Sequence, residues 1–492
     1  MEFDWLLAPP LPETMPRQRV LYHRLRDAIL SGRLASGMRL PASRSLAASL
    51  KIARNTVLFA YEQLLAEGCL LADRQGTRVA SLPGWAVVPA RSRDTPAAPL
   101  HPQLHLSQRA AAALQPEPAR EAAVLPFAPG TPDYGAFPFR SWRACLERAW
   151  LDAGWRQLGY AARGGDPALR EALAGHLTTV RGLAVDASQV VITSGTQAAL
   201  DLCARLLGDH GDTIWAENPG YLAARVAFGL AGLRVHDVPV DAEGLAPGEG
   251  DWCEHPPRLI MITPSHQYPT GRVMSLPRRL ALIERARRAG AWIIEDDYDS
   301  EFRRAGPAPP ALFGLQADAP VVYAGTFSKT LYPGLRLGYL VLPHAIAADF
   351  ARATSQATRA GQGIEQRALA DFIQRGHYTT HLRRMRARYA ARQLALRTAL
   401  REAFGPSLEL SGGDAGLHLV MWLPQGIRDT DVATRAAALG LGLRALAHYT
   451  RAPVTCNGLV LGYGNLEEGM IAECVQRLVK AVGAVGASPT CH

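Results

Sequence analysis

PVVYAGTFSKTLYPGLRLGYLVL, residues 320–342, is the stretch on which the reading of this chain turns. It opens and closes with two short apolar runs, PVVYAG and LGYLVL, each with the length and composition of a buried strand. Between them lies a polar loop with a single lysine, Lys329, beside Thr326, Ser328 and Thr330, with Arg336 seven residues on. A lysine at the mouth of an apolar pocket gives up its proton readily, because burial disfavours the ammonium form. The free amine can then condense with an aldehyde. Thr326, Ser328 and Arg336 add hydroxyl donors and a forked cation suited to a phosphate. Amine, aldehyde and phosphate together point to pyridoxal phosphate. A solvated surface loop could carry the same residues, so the rest of the chain has to decide.

Upstream of this loop, strand-like and helix-like patterns alternate. VVITSG, TIWAEN, RVHDVPV, RLIMITP and AWIIEDD read as strands, with helical runs between several of them. Such alternation predicts an α/β fold with a mostly parallel sheet. Ligands bind such sheets at the carboxyl ends of the strands, and the polar motifs fall there. Thr193 to Gln197 (TSGTQ) ends one strand and opens a helix, so the backbone N–H groups of Gly195, Thr196 and Gln197 suit an anion. Glu217 to Tyr221 (ENPGY) offers an aromatic face in Tyr221. Thr263 to Gly271 (TPSHQYPTG) is a polar turn whose one histidine is most simply structural. Ile293 to Asp299 (IIEDDYD) crowds acids at a strand end, where they repel unless a cation is near. A protonated pyridine nitrogen is such a cation.

Composition sets the outer limits. The 492 residues are 48% hydrophobic and 20% charged, as in a globular chain of roughly three domains. The net charge is +9, and residues 1–93 hold thirteen Lys/Arg against seven Asp/Glu. That local surplus suits a nucleic-acid partner for the N-terminal part. The seven scattered cysteines show no metal spacing and suit reduced thiols in a cytoplasmic protein. The acidic, proline-broken N-terminus is unlike a signal peptide, and no apolar run approaches the roughly 18 residues of a membrane span.

Residues 17–31 place Val20, Leu21, Leu25, Ile29 and Leu30 on one helical face, with Gly32 as a stop. A short helix, SRSLAASL, follows Pro41, and a third helix runs from about Arg54 to Gly68. CLLADRQGTRVAS then alternates as a hairpin about Gln75-Gly76. Two helices joined by a tight turn at Ile52-Ala53 fit a helix-turn-helix, whose second helix reads bases with its N-terminal side chains. Arg54, Asn55 and Thr56 occupy those positions, and Arg and Asn suit guanine and adenine. Ser43, Arg44, Lys51 and the hairpin's Gly76 and Arg78 are candidates for backbone contacts. Residues 83–125, rich in proline and alanine, read as a linker carrying one possible short helix.

The run LPASRSLAASLKIARNTVLFAYEQLLAEG closely resembles the winged helix-turn-helix of the GntR superfamily, over residues 15–82. That family usually has Ser or Thr before Arg-Asn-Thr, whereas here it is Ala53. The ordered motifs of residues 126–480 resemble fold-type I PLP-dependent aminotransferases. Together the chain resembles the MocR/GabR family of transcriptional regulators.

The resemblance implies a winged helix joined to a large transferase domain with a smaller C-terminal α+β subdomain. It implies that Lys329 forms an internal aldimine, Asp296 pairs with the pyridine nitrogen and Tyr298 holds the 3-oxygen. Tyr221 would pack near the ring, and Gly195, Thr196, Gln197, Thr326, Ser328 and Arg336 would surround the phosphate. Arg444, ahead of Arg451, is the candidate for an effector carboxylate. Tyr268 stands where true aminotransferases carry an asparagine, and the run Tyr160 to Asp166 (YAARGGD) also departs from the family.

The expected protein binds double-stranded DNA, forms a head-to-tail, domain-swapped homodimer without contact to a membrane, and senses a small amine or amino acid by aldimine exchange. Two other readings remain open at this level: a working aminotransferase with a fused DNA-binding module, and a regulator of vitamin B6 synthesis that senses PLP itself.

Overall fold

The computed structural model describes residues 3–7, 15–74, 76–81, 106–114, 124–154, 159, 160, 162–304, 306, 309–358, 361–451 and 456–486. Most of the expected linker, with Gln75 of the hairpin and Ala161 of the Tyr160 run, lies outside them. The chain divides into two compact units, residues 1–105 and 106–492.

In the first unit, α1 spans Arg17–Leu30, α2 Ser43–Ser49 and α3 Arg54–Ala66. They bury Leu21, Leu25, Leu46, Val57, Ala60 and Leu64 in one core. The apolar spacing read from the sequence thus becomes the shared face. Phe3 and Leu6, on a turn ahead of α1, join the same core. The strands β1 (Leu70–Asp73) and β2 (Gly76–Val79) pair antiparallel, with Asp73 opposite Gly76 and Leu70 opposite Val79. Gly76 has φ +123°, which the tight turn requires and which other residues adopt rarely. Helix α3 starts without a side-chain cap, since Ala53 at its N-cap has no oxygen to offer.

The second unit is built on an eight-stranded sheet. In chain order its strands are β3 (Val190–Thr193), β4 (Thr213–Asn218), β5 (Arg234–Asp241), β6 (Gly244–Leu245), β7 (Leu259–Ile262), β8 (Trp292–Asp297), β9 (Val321–Thr326) and β10 (Gly338–Val341). Their spatial order is β3-β10-β9-β8-β7-β4-β5-β6. Strands β5, β4, β7, β8 and β9 run parallel, while β10 runs antiparallel to both β9 and β3. The two apolar runs of residues 320–342 are therefore neighbours, with Gly338 opposite Thr326 and Val341 opposite Tyr323. The loop that carries Lys329 is held at both ends by one hairpin. Helices cover the sheet, and the short helix Gln108–Ala113 packs against the helix Leu222–Ala231.

A smaller antiparallel sheet follows, formed by β11 (Leu410–Gly412), β12 (His418–Trp422), β13 (Arg444–Ala445) and β14 (Gly458–Gly462) in the order β11-β12-β14-β13. It is the C-terminal α+β portion expected from the sequence. No helix among the described residues is long and apolar enough to cross a membrane.

Candidate functional site

The carboxyl ends of β4, β7, β8 and β9 converge on one cavity of about 240 Å³. Its lining includes Thr196, Gln197, Tyr221, Asp296, Tyr298, Thr326, Ser328, Lys329 and Arg336. These residues span 140 positions of sequence, and the parallel sheet brings them together because each follows or ends a strand on the same edge.

Alternation along β8 separates the three acids by task. Glu295 accepts N–H bonds from Leu312 and Phe313, both at 3.1 Å, and lies 3.8 Å from Arg279. Asp297 points to the same side and is held by Arg181 at 2.7 Å, Tyr323 at 2.7 Å and Ser300 at 2.8 Å. Asp296 faces the other way, into the cavity, and its Oδ1 has no hydrogen-bond partner among the described residues. Burial, reinforced by Asp297, Glu217 and Asp299, pushes its carboxyl up to about 8, while Lys329 pulls the other way. A buried acid in that position favours a cationic donor. Glu217 behind it is pushed up to about 7 by burial and accepts bonds from Thr263 and Gln267.

Lys329 is half-buried, and desolvation lowers its amine below the ordinary lysine value, partly offset by Asp299 and Asp296. Its Nζ donates to Gly130 O at 2.8 Å. Gly130 has φ +71°, and a Cβ there would stand 2.9 Å from Nζ, so only glycine leaves the amine room. Nothing in the sequence signals this contact, which joins positions 199 residues apart.

At the other end of the cavity the helix Thr196–Leu207 points its N-terminus inward after Gly195, which has φ +87°. A Cβ on Gly195 would stand 3.5 Å from the Arg336 guanidinium, which itself donates to Ser194 O at 3.1 Å. Thr326 Oγ1 and Ser328 Oγ lie 3.1 Å apart. A helix N-terminus, two hydroxyls and a guanidinium form an anion cup. Tyr221, Tyr268 and Tyr298 form the aromatic wall, with Tyr268 edge-on to the other two at 6.1 and 5.9 Å. An amine, a buried acid with an unpartnered oxygen and an anion cup beside aromatic side chains are a donor set that fits pyridoxal phosphate.

Arg444 is not among the lining residues. It is half-buried behind the wall and raised above the usual arginine value through Tyr449 and Tyr268, despite the cost of burial. Tyr449 in turn meets Tyr268, hydroxyl to hydroxyl, at 2.9 Å. Arg451 is exposed, and its backbone pairs with the Asn218 amide, at 2.8 Å in both directions.

In the first unit Arg44, Lys51, Arg54, Asn55 and Gly76 are exposed, and Ser43, Thr56 and Arg78 are partly so. Arg54 Nε donates to Ser43 Oγ at 3.3 Å, placing the starts of α2 and α3 side by side. Arg78 is ion-paired with Asp73 across the hairpin.

Comparison with known proteins agrees with both units. The family model "Aminotransferase class I and II" matches residues 123–453, and "Bacterial regulatory proteins, gntR family" matches residues 17–79. The second unit also aligns with the crystal structure of LysN, an alpha-aminoadipate aminotransferase from Thermus thermophilus complexed with N-(5'-phosphopyridoxyl)-L-leucine. That match has a TM-score of 0.68 and 29% identity and covers 77% of this chain and 97% of that one. Fold and comparison thus define a GntR-type winged helix joined to an aminotransferase-like domain of the PLP-dependent class.

The chain is 38% identical over 476 residues to the "Probable rhizopine catabolism regulatory protein MocR" of Rhizobium meliloti, covering 96% of this chain and 95% of that protein. It is 35% identical over 475 residues to the "HTH-type transcriptional regulator TauR" of Rhodobacter capsulatus, covering 94% and 97%. The chain belongs to the MocR/GabR family of transcriptional regulators.

Proposed function

We propose that this regulator binds operator DNA through its winged helix and senses a small amine or amino acid in its aminotransferase-like unit, with pyridoxal phosphate held at Lys329. The observation that carries the reading is the single cavity where a half-buried amine, a buried acid with an unpartnered oxygen and an anion cup meet.

When bound, pyridoxal phosphate supplies an aldehyde that condenses reversibly with amines, on a ring that accepts electrons. The chain's own residues do the rest. Lys329, whose amine burial shifts below the ordinary lysine value, is the amine the protein offers, and an effector amine competes with it. Asp296 receives the ring nitrogen's proton bond. Tyr298 meets the 3-oxygen. Gly195, Thr196, Gln197, Thr326, Ser328 and Arg336 hold the phosphate. Arg444 suits an effector carboxylate once the Tyr268–Tyr449 hydroxyl pair parts.

On DNA, Arg54, Asn55 and Thr56 read bases, while Ser43, Arg44, Lys51, Gly76 and Arg78 position the backbone. The Arg78–Asp73 pair is surface-exposed and worth at most about 1 kcal/mol, so a phosphate can displace it. We further propose a cytoplasmic homodimer, arranged head to tail. The exposed Phe139 at one end of a helix, and Trp150 and Leu151 at its other end, are apolar side chains that a second copy would cover.

The test loads the purified chain with pyridoxal phosphate and titrates a panel of amines and amino acids. Visible absorbance and binding to a DNA site selected from a random library are both recorded. An amine that changes both supports the reading. Sustained keto-acid production with an acceptor would instead favour a working aminotransferase. A change in DNA binding on adding pyridoxal phosphate alone would make the cofactor itself the signal.

A further inference from the structure

Among the described residues Lys329 Nζ makes one hydrogen bond, to Gly130 O, and that carbonyl accepts no other. The two segments that meet there are held by one helix, His377–Phe404. Near its start Tyr378 donates to Thr330 Oγ1 at 3.0 Å, and His381 Nε2 donates to Thr330 O at 2.9 Å. A carbonyl only accepts, so the His381 hydrogen sits on Nε2, and Nδ1 is left without a partner. Thr330 directly follows Lys329. About two to three turns further along the helix, the Tyr389 hydroxyl accepts from Asp133 N at 3.0 Å. Arg388 and Arg392 donate to Asp133 Oδ2 at 2.9 and 2.7 Å. Asp133 closes the short segment Gly130-Thr131-Pro132-Asp133. The five side chains share one face of the helix, and Tyr378, His381, Tyr389 and Arg392 are buried.

A free lysine amine has hydrogens to donate. One joined to an aldehyde does not. When Nζ condenses with the aldehyde of pyridoxal phosphate, its two hydrogens leave with the aldehyde oxygen as water, and a C=N bond forms. If that nitrogen gains a proton, the phenolic oxygen beside the aldehyde takes the hydrogen. An incoming primary amine reverses the loss. Its nitrogen takes over the carbon, its two hydrogens end on Nζ, and the lysine is a free amine again. Gly130 O therefore has its lysine partner when the amine is free and lacks it while lysine holds the cofactor.

We propose that Gly130 O is the receiving site for the Lys329 amine that an effector releases, with Tyr378, His381, Arg388, Tyr389 and Arg392 as positioning residues that hold this site within reach. The inference rests on the placement of pyridoxal phosphate proposed above. One helix fixes Thr330 and Asp133 relative to each other, so the amine returns to the same carbonyl on each exchange. The contact favours every state in which lysine is free. It opposes the binding of pyridoxal phosphate and assists its transfer to an effector, by the same factor, because the first step breaks the hydrogen bond and the second restores it. One such bond corresponds to a factor of about five.

The test uses the full-length protein at fixed pH. Pyridoxal phosphate is titrated into cofactor-free protein, and ethylamine into loaded protein. Borohydride reduction fixes the cofactor where it stands, and peptide mass spectrometry counts the fraction on Lys329. Tyr389→Phe removes the acceptor of the Asp133 N–H, Asp133→Asn weakens the arginine pairs, and Tyr378→Phe loosens Thr330. Each should tighten pyridoxal phosphate binding by about two- to fivefold and raise the ethylamine needed for half displacement by the same factor. In cofactor-free protein, acetic anhydride should acylate Lys329 faster in all three variants, since the amine is held less firmly.

A variant that merely loosens the cavity weakens both steps together. Shifts in the same direction therefore overturn the receiving role, as do wild-type constants in all three variants. Should Asp133→Asn fail to fold, Tyr389→Phe, which keeps the ring, decides. If wild type forms no reducible bond at Lys329, or ethylamine does not displace the lysine, the proposed exchange itself fails and the receiving role falls with it.

Discussion

Replacing Asp296 with asparagine should stabilise the cofactor-free protein and weaken its hold on pyridoxal phosphate. Burial and the neighbouring carboxyls raise this acid from 3.8 to about 8. In the unfolded chain it ionises near pH 4, whereas in the folded protein it stays protonated until about pH 8. Between those values the folded state binds more protons, so stability falls as pH rises. Below pH 4 both states are protonated and the penalty is absent. A raise of about four units at about 1.4 kcal/mol each sets a ceiling of about 5 kcal/mol above pH 8. Asparagine has nearly the same shape and cannot ionise, so Asp296→Asn escapes the penalty. Thermal unfolding of cofactor-free protein, followed by circular dichroism from pH 5 to 9, reads the difference. The variant should gain on the wild type steadily with pH, by several degrees at pH 8. Adding pyridoxal phosphate should reverse the order, since only the carboxylate satisfies the ring nitrogen. A gap independent of pH, or a variant less stable than wild type at pH 8 without cofactor, would refute the reasoning.

Three further expectations concern single side chains. Lys329→Ala should abolish the visible band and borohydride trapping while circular dichroism stays unchanged; a retained band would move the anchor elsewhere. Arg54→Ala should weaken specific DNA binding by about 1–3 kcal/mol with little change in non-specific binding, as measured by fluorescence anisotropy at fixed salt. Ala53→Ser should raise the stability of the winged helix by about 1 kcal/mol. Its N-cap backbone, at φ −66° and ψ 140°, already has the conformation a capping serine needs, and denaturant unfolding of the first unit reads the gain.

The sequence carried the fold well because most of its strands are built on buried apolar runs, with β5 the exception, and all seven read as strands are strands. Buried parallel strands leave no polar alternation to confuse with a helix. Most of the cavity lining was legible for a related reason: polar residues that interrupt the end of such a run have few reasons to be there. Geometry added the physical reason for Asp296, the acid of the Glu295–Asp297 run that the family resemblance implies. Strand alternation and the Arg181 and Tyr323 partners of Asp297 leave Asp296 alone in the cavity. Gly130 was invisible because both its carbonyl contact and its need for glycine arise only where the fold brings it against Lys329 Nζ. His266 read as a structural histidine; its contact with Tyr298 depends on how two strand-end turns pack, which local pattern does not encode.

A switch of this kind obeys a further constraint. An effector can shift DNA binding only by the free energy with which it prefers one arrangement of the protein over the other. A tenfold change in operator affinity therefore requires about 1.4 kcal/mol of preference. Linkage makes the coupling reciprocal, so operator DNA must change the effector's affinity by the same factor and in the same direction. Amine affinity measured from the visible absorbance, with and without saturating operator, provides that factor independently of any DNA-binding assay. Equal factors would locate the switch in a two-state equilibrium of the whole chain. An amine affinity untouched by DNA, beside a DNA affinity that the amine alters, would break the linkage. The apparent regulation would then arise from something other than binding, such as consumption of the amine by turnover at Lys329.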